Sequence, residues 1–222
     1  MRVALVNPPW TFEGSIYFGC REPHLPLEFG YSKALLDASG HQSILIDGHL
    51  EQLTQKAVAD RVRDFRPDMT VITTAPSYLF WRCPPPEIRV PREMCAKVRP
   101  FGGKLVIVGP HGSTTPRATL RKLDADAVIL GECEEIIAGL ANGADPVTSV
   151  AYRDGDQIVI KGPNCAADMK LLPALAWPVD VIARHRHHHH RFDTEPVGPG
   201  AEMEASRGCP YHCTFCAKDN FR

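Results

Sequence analysis

The chain has 222 residues, enough for one full domain and a smaller second unit. Apolar residues make up 44% and charged residues 23%, the balance of an ordinary globular protein with a buried core. The formal net charge is −1 and no run of about 18 apolar residues occurs, so neither a nucleic acid partner nor a membrane-spanning helix is expected.

Five short apolar runs, rich in β-branched residues, predict five strands. They occupy residues 3–6, 43–46, 68–73, 105–108 and 127–130. Apolar residues at helical spacing predict helices at 30–39, 50–65, 88–99 and 116–123, with another beginning at Glu134.

The strands alternate with the helices and are continuously apolar, which is typical of strands buried on both faces. This pattern predicts a doubly wound α/β fold with a parallel five-stranded sheet. Ligands of such sheets bind beyond the carboxyl ends of the strands, so the segments after those ends are candidate binding loops.

The pattern changes after about residue 145. Two β-type runs, 150–153 and 157–160, flank Asp154-Gly155-Asp156 and predict a hairpin. Residues 162–200 carry Pro, Gly and His with little periodicity and predict a linker, and 201–206 predict one more strand. The His-rich stretch 185–191 is interpreted as a solvated loop, with a metal-binding or substrate-facing loop as the alternative.

Cysteine usage indicates a reducing compartment. Five of the eight cysteines are scattered, whereas three are clustered near the C-terminus, a pattern that points to metal binding or catalysis. Residues 1–10 lack the features of a secretory signal, so a cytoplasmic protein is predicted.

The clustered cysteines are Cys209, Cys213 and Cys216, in the spacing C-x3-C-x2-C. Three thiolates this close converge readily on one soft metal site. A structural zinc site normally has four protein ligands, whereas three ligands on a 4Fe–4S cluster leave one iron open. Zinc stays an alternative because His212 or the His-rich stretch offers a fourth ligand, and a chance grouping is a third reading.

The segment 206–216 resembles the signature of radical S-adenosylmethionine (radical SAM) enzymes, including their "SRGCP" approach to the cysteines. The resemblance implies a 4Fe–4S cluster on Cys209, Cys213 and Cys216, whose open iron binds S-adenosylmethionine. It also implies an electron donor, such as a flavodoxin or ferredoxin, and release of a 5′-deoxyadenosyl radical. Phe215 is then expected beside the adenine, with a simple packing aromatic as the alternative.

The α/β part resembles the cobalamin-binding domain found ahead of many radical SAM domains. Asn7-Pro8-Pro9 follows the first strand and Asp47 ends the second, 109–114 is similar to "GGPHxT", and 131–134 is close to "GEGE". The cobalamin contacts that this resemblance implies are Asn7, Pro8, Ser77, Gly109, His111, Ser113, Thr114, Gly131 and Glu132. Ordinary turn hydroxyls, a loop histidine and a helix N-terminal charge are the alternatives for the polar members.

The sequence departs from that pattern at two positions. Pro110 replaces the second Gly of "GGPHxT", and Cys133 replaces the Gly of "GEGE". The D-x-H-x-x-G motif that supplies a cobalt ligand in some cobalamin proteins is absent. His49 follows the second strand rather than the first, so cobalt coordination by it is not expected.

These observations predict three units: a cobalamin-type domain at 1–145, a hairpin and His-rich linker at 146–200, and the start of a radical SAM partial barrel at 201–222. The function that the resemblance implies is methyl transfer to an unactivated centre of a small-molecule substrate that the sequence does not identify. The chain ends six residues after Cys216, so it is expected to be inactive alone. The alternatives are an α/β binding module with a zinc-binding cysteine knob, and a radical SAM enzyme whose N-terminal domain no longer binds cobalamin.

Overall fold

The computed structural model describes residues 1–16, 23–76, 85–144, 147–185, 200–204, 207–208 and 214. Within these ranges the strands are β1 (Arg2–Asn7), β2 (Gln42–Asp47), β3 (Met69–Thr73), β4 (Lys104–Val108), β5 (Ala127–Ile129), β6 (Val150–Asp154) and β7 (Gln157–Lys161). The helices are α1 (Leu27–Ala38), α2 (Gln55–Phe65), α3 (Arg89–Val98), α4 (Pro110–Thr114), α5 (Pro116–Leu123), α6 (Glu134–Ala141) and α7 (Val179–Arg184).

The sheet has the strand order β2-β1-β3-β4-β5-β6-β7. The first five strands pair in parallel, and β6 and β7 continue the sheet as an antiparallel hairpin. A five-stranded sheet was predicted, and that count is wrong because Val150 and Ala151 of β6 are buried against the edge of β5. The hairpin itself, with Gly155 and Asp156 at its turn, is confirmed.

Helices cover both faces of the sheet, as the continuous apolar strands predict. Val3 and Leu5 of β1 face a core shared with α1 and α6. Ala4 and Val6 face the opposite core, which α2, α3 and α5 complete. This alternation within one strand explains why residues 3–6 are all apolar.

Several helix boundaries differ from those predicted. Helix α2 begins at Gln55 rather than at residue 50, because the side chain of Thr54 caps it by accepting a hydrogen bond from Ala57 N at 3.1 Å. Helices α4 and α7 were not predicted, since each is only one to two turns long. The predicted strand at 201–206 is wrong for residues 201–204, which form no strand.

Candidate functional site

The strand order reverses between β1 and β3, because the chain continues from β1 to β2 on one side and then crosses to β3 on the other. Such a switch point opens a crevice at the carboxyl ends of the two strands, which is where doubly wound sheets bind ligands. The segments lining it are residues 7–11 after β1 and 74–76 after β3. Ser77, a predicted cobalamin contact, lies outside the described residues.

Buried polar side chains hold the loops after β1 and β2 together. Asn7 Nδ2 donates to Asp47 Oδ1 at 2.8 Å, and Trp10 Nε1 donates to Asn7 Oδ1 at 2.8 Å. Burial raises the pKa of Asp47 to about 7, although hydrogen bonds from Leu50 N and Asn7 oppose this rise. Its second oxygen, Oδ2, is buried and has no hydrogen-bond partner among the described residues. This edge therefore contains an unsatisfied hydrogen-bond acceptor.

A cleft of about 320 Å³ opens beside these loops. Its walls come from the segment after β1, the segment after β2 and Pro23, and polar and apolar atoms contribute to them in similar shares. The lining residues are Pro9, Trp10, Thr11, Pro23, Gly48, His49, Gln52 and Leu53. It lies at the carboxyl ends of β1 and β2, along the predicted binding edge.

The loop after β4 approaches its neighbours closely. Gly109 has φ +107°, a conformation that side chains rarely adopt, and a Cβ there would lie 2.7 Å from Thr74 Oγ1. Ser113 Oγ donates to Gly109 O at 3.1 Å and accepts from Gly131 N at 2.9 Å. The Ser113 hydroxyl, predicted as a ligand contact, thus links the loops after β4 and β5.

His111 and Thr114 lie in the same short helix, α4. Burial lowers the pKa of His111, which favours the neutral imidazole. Its Nδ1 is buried without a hydrogen-bond partner among the described residues, whereas Thr114 is exposed. Hydrogen bonding to the backbone of Pro85 and Thr74 opposes this lowering of the pKa, and Nδ1 remains a buried polar atom at this edge.

The segment after β5 carries a buried cluster of charges. The guanidinium of Arg207 donates to Glu132 Oε2 at 3.2 Å, to Glu134 Oε1 at 2.6 Å and to Glu204 Oε2 at 2.7 Å. These four side chains are 10% exposed or less. Glu132 Oε2 also accepts a hydrogen bond from Ala167 N at 2.7 Å, so this predicted cofactor contact takes part in internal bonds.

Glu28, at the start of α1, belongs to the same neighbourhood. Its side chain is fully buried, and neither carboxyl oxygen has a hydrogen-bond partner among the described residues. Burial raises its pKa to about 8, with a further rise from the charge of Glu134 and an opposing effect of Arg207. Glu28 is therefore protonated at neutral pH, which avoids the cost of an unpaired buried charge.

A second buried network joins three distant segments. His24 Nδ1 lies 2.9 Å from Glu202 Oε1, and His185 Nε2 lies 2.9 Å from Glu202 Oε2. His185 Nδ1 also lies 2.6 Å from Gly200 O, so both ring nitrogens face acceptors, an arrangement that favours the imidazolium and raises the pKa of His185 above its usual value although burial opposes this rise. His185 is 1% exposed, so the interpretation of the His-rich stretch as solvated is wrong for this first residue.

A larger cleft, of about 560 Å³, lies next to both networks. Apolar side chains of the segment 169–177 form one wall, and residues 201–204 form another. Its lining residues are Tyr31, Met169, Leu172, Pro173, Ala174, Leu175, Trp177, Ala201, Glu202, Met203 and Glu204. Sequence reasoning assigned 162–200 to a linker and did not find this cleft.

The structure brings the predicted contacts Asn7, Pro8, Gly109, His111, Ser113, Thr114, Gly131 and Glu132 to the carboxyl edge of the sheet. Cys209, Cys213, Phe215 and Cys216 lie outside the described residues. Sequence reasoning missed Glu28, Glu134, His185 and Arg207 as members of buried networks. Local spacing carries no signal for them, because Arg207 pairs with residues 73 and 75 positions earlier.

No helix in the described part of the chain is long and apolar enough to cross a membrane. No known family model matches the chain. Over 225 residues it is 26% identical to an uncharacterized methyltransferase of Pyrococcus horikoshii, covering 98% of this chain and 45% of that protein. The chain spans less than half the length of the curated relatives it matches.

Two solved structures are similar in fold. One is the radical S-adenosylmethionine methyltransferase TsrM of Kitasatospora setae with cobalamin and a [4Fe–4S] cluster bound. The TM-score is 0.55 and the sequence identity is 18%, and the match covers 78% of this chain and 30% of TsrM. The other is the cobalamin-dependent S-adenosylmethionine radical enzyme OxsB with aqua-cobalamin and S-adenosylmethionine bound. Here the TM-score is 0.61 and the sequence identity is 16%, and the match covers 82% of this chain and 25% of OxsB.

Proposed function

We propose that this chain is the N-terminal part of a cobalamin-dependent radical SAM methyltransferase and that it binds cobalamin and a 4Fe–4S cluster, a proposal supported by its likeness in sequence to a methyltransferase and in fold to TsrM and OxsB. The observation that carries the proposal is the combination of the switch-point sheet, whose last strand ends at Lys161, with a C-x3-C-x2-C segment that begins at Cys209. We assign residues 1–145 to the cobalamin-binding unit, 146–200 to the connection and 201–222 to the start of the radical SAM unit.

Cys209, Cys213 and Cys216 supply the cluster ligands in this proposal. Three thiolates are the donor set that suits iron in a cubane with one open corner. When bound, the cluster and S-adenosylmethionine would supply a 5′-deoxyadenosyl radical, with the electron coming from a donor such as a flavodoxin or ferredoxin. Cobalamin would serve as the carrier of the methyl group. Phe215 is proposed to stack beside the adenine.

The carboxyl edge of the sheet fits a cobalamin in its local chemistry. Gly109 and Gly131 let the loops after β4 and β5 pack closely against Thr74 and Cys165, because a Cβ would lie 2.7 Å from Thr74 Oγ1 and 2.3 Å from Cys165 O. His111 Nδ1 and Asp47 Oδ2 are buried polar atoms without partners among the described residues, and a bound ligand or water would satisfy them. Asn7, Pro8, Ser77, Ser113, Thr114 and Glu132 complete the proposed contact set.

The cluster is tested by anaerobic reconstitution of this chain, followed by measurement of iron, acid-labile sulfide and zinc. The chain is expected to hold a 4Fe–4S cluster, and the triple substitution of Cys209, Cys213 and Cys216 by serine is expected to abolish it. Cys165→Ser is the matched control, because Cys165 lies in the segment beside β5 and outside the motif. Tetrahedral zinc without sulfide would overturn the assignment and favour the zinc-knob alternative.

Cobalamin binding is tested separately by gel filtration with hydroxocobalamin. The cobalt absorption band is expected to co-elute with the wild-type chain and to be weakened by His111→Ala. His41→Ala is the matched control, since His41 contacts Met1 and Asn142 instead of the carboxyl edge. A chain that holds the cluster but never retains cobalamin would leave only the radical SAM half of the proposal.

A further inference from the structure

We propose that Arg207 is a positioning residue that fixes the start of the cysteine loop to the β5–α6 connection. The inference rests on the proposed function, because its consequence is the placement of a cluster loop. Arg207 stands two residues before Cys209, the first residue of the motif. Two residues of chain span at most about 7 Å, so an immobilised Arg207 restricts where Cys209 is able to lie.

The anchor is a buried guanidinium, and each of its three nitrogens donates a hydrogen bond. Arg207 is 5% exposed in its side chain, and its Nε, Nη1 and Nη2 each donate to a different carboxylate, those of Glu204, Glu132 and Glu134. Charge-assisted hydrogen bonds to buried carboxylates are among the strongest side-chain contacts. Removal of the arginine would leave the carboxylates buried without their cation, which is strongly destabilising locally.

The partners of Arg207 are themselves fixed by the fold. Glu134 is the first residue of α6 and is completely buried. Glu132 is held in turn by the hydrogen bond from Ala167 N. The guanidinium also lies over the ring of Tyr31 in α1, with 5.3 Å from Cζ to the ring centroid. The anchor therefore joins the cysteine segment to two helices and to the end of a core strand.

The residue after the anchor turns the chain. Gly208 has φ +86°, and a Cβ built there would meet no atom of the described residues within 4 Å. Space is thus available, and the backbone conformation itself is what favours glycine. In this proposal Arg207 fixes the position of the chain and the positive φ of Gly208 sets its backbone direction at the residue before Cys209.

An arginine is required by this geometry and a lysine does not replace it. The three carboxylates are reached by three separate nitrogens of a planar fork, whereas an ammonium group is a compact point charge on a flexible stem. Arg207→Lys keeps the positive charge and removes the planar group whose three nitrogens reach three carboxylates. It is therefore the variant that separates positioning from simple charge balance.

The first experiment measures amide hydrogen exchange of the iron-free chain, in peptides that cover 204–214. Wild type is expected to be protected there, and Arg207→Ala and Arg207→Lys are expected to lose that protection. Arg99→Ala is the matched control, because Arg99 ion-pairs with Asp126, whose carboxylate also bonds the start of β4 at the opposite edge of the sheet. Equal exchange in wild type and both variants would overturn the proposal.

Guanidinium ion added to the Arg207→Ala variant provides a second way to separate positioning of the chain from charge balance. Free guanidinium restores the missing charge without the covalent link to Gly208. Recovery of thermal stability without protection of 204–214 supports positioning, and recovery of both would overturn it. If Arg207→Ala does not fold, Arg207→Lys decides by the same exchange measurement.

The second experiment follows extraction of iron from the reconstituted chain by a chelator. Arg207→Lys is expected to release iron roughly tenfold faster than wild type, as typical for loss of a supporting contact near a metal site. An unchanged release rate would overturn the proposal. Because hydrogen exchange is measured without iron, failure of the wild type to bind a cluster would count against the proposed function and leave the exchange test of Arg207 intact.

Discussion

The substitution Glu28→Gln is expected to stabilise the fold in a strongly pH-dependent way. Burial raises the pKa of Glu28 from its usual value of 4.5 to about 8, so the folded chain binds this proton more tightly than the unfolded chain does. A group with this shift loses stability as the pH rises from about 4.5 to about 8. At 1.36 kcal/mol per pKa unit, the penalty grows by about 3 kcal/mol between about pH 5.5 and pH 8.

Glutamine keeps the shape of the protonated carboxyl and removes its titration. The free energy of unfolding of Glu28→Gln, minus that of wild type, is therefore expected to increase by about 3 kcal/mol between about pH 5.5 and pH 8. Urea denaturation followed by circular dichroism measures it at both pH values. Glu135→Gln, at a partly exposed site in the same region, controls for the chemical change. A difference that does not change with pH would refute the assignment of a protonated, buried Glu28.

Further predictions concern the loop after β5 and the histidine network. Gly131→Ala is expected to cost at least about 2 kcal/mol, because the residue has φ +80° and a new Cβ would lie 2.3 Å from Cys165 O. Gly139→Ala, with no atom nearer than 3.9 Å, is expected instead to stabilise α6 by about 0.5–1 kcal/mol, and both are checked by urea denaturation. His185→Gln is expected to cost most between about pH 4.5 and 6.5, and thermal melts across pH check this. Burial lowers the pKa of His185, but the hydrogen bond to Glu202 raises it by more, so the net change is a raised pKa. The contribution of His185 to the stability of the fold is therefore complete below about pH 6.5 and is lost as the pH rises through the raised pKa. Burial raises the pKa of Glu202, but the hydrogen bonds from His185 and His24 lower it by more, so the net change is a lowered pKa. The contribution of Glu202 to the stability of the fold is therefore lost only as the pH falls below about 4.5. A constant cost across the range would contradict the ion pair.

The apolar runs of the sequence predict the strands well, because both faces of a central strand are buried and most of its residues are therefore apolar. Each of the five predicted parallel strands is present, and the hairpin turn at Gly155 is confirmed. The order of the strands is not contained in that pattern, since any order buries the same side chains. The attachment of β6 to β5 depends on pairing of Val128 with Ala151, which local periodicity does not reveal.

The binding edge is predictable for the same reason, because the carboxyl ends of parallel strands meet at one edge of the sheet. Gly109 and Gly131 were found from their motifs, and both have positive φ. The buried charge networks are not predictable from local sequence. Arg207 and Glu134 are 73 residues apart, and Glu202 and His24 are 178 residues apart, so only the folded chain brings them together.

The central claim is tested most directly by Mössbauer spectroscopy of the chain reconstituted with iron-57, before and after addition of S-adenosylmethionine. The account predicts the spectrum of a 4Fe–4S cluster in which one of the irons changes when S-adenosylmethionine is added, because three cysteines leave that iron open. Absence of a cluster spectrum, or a cluster whose irons all stay unchanged, would contradict it.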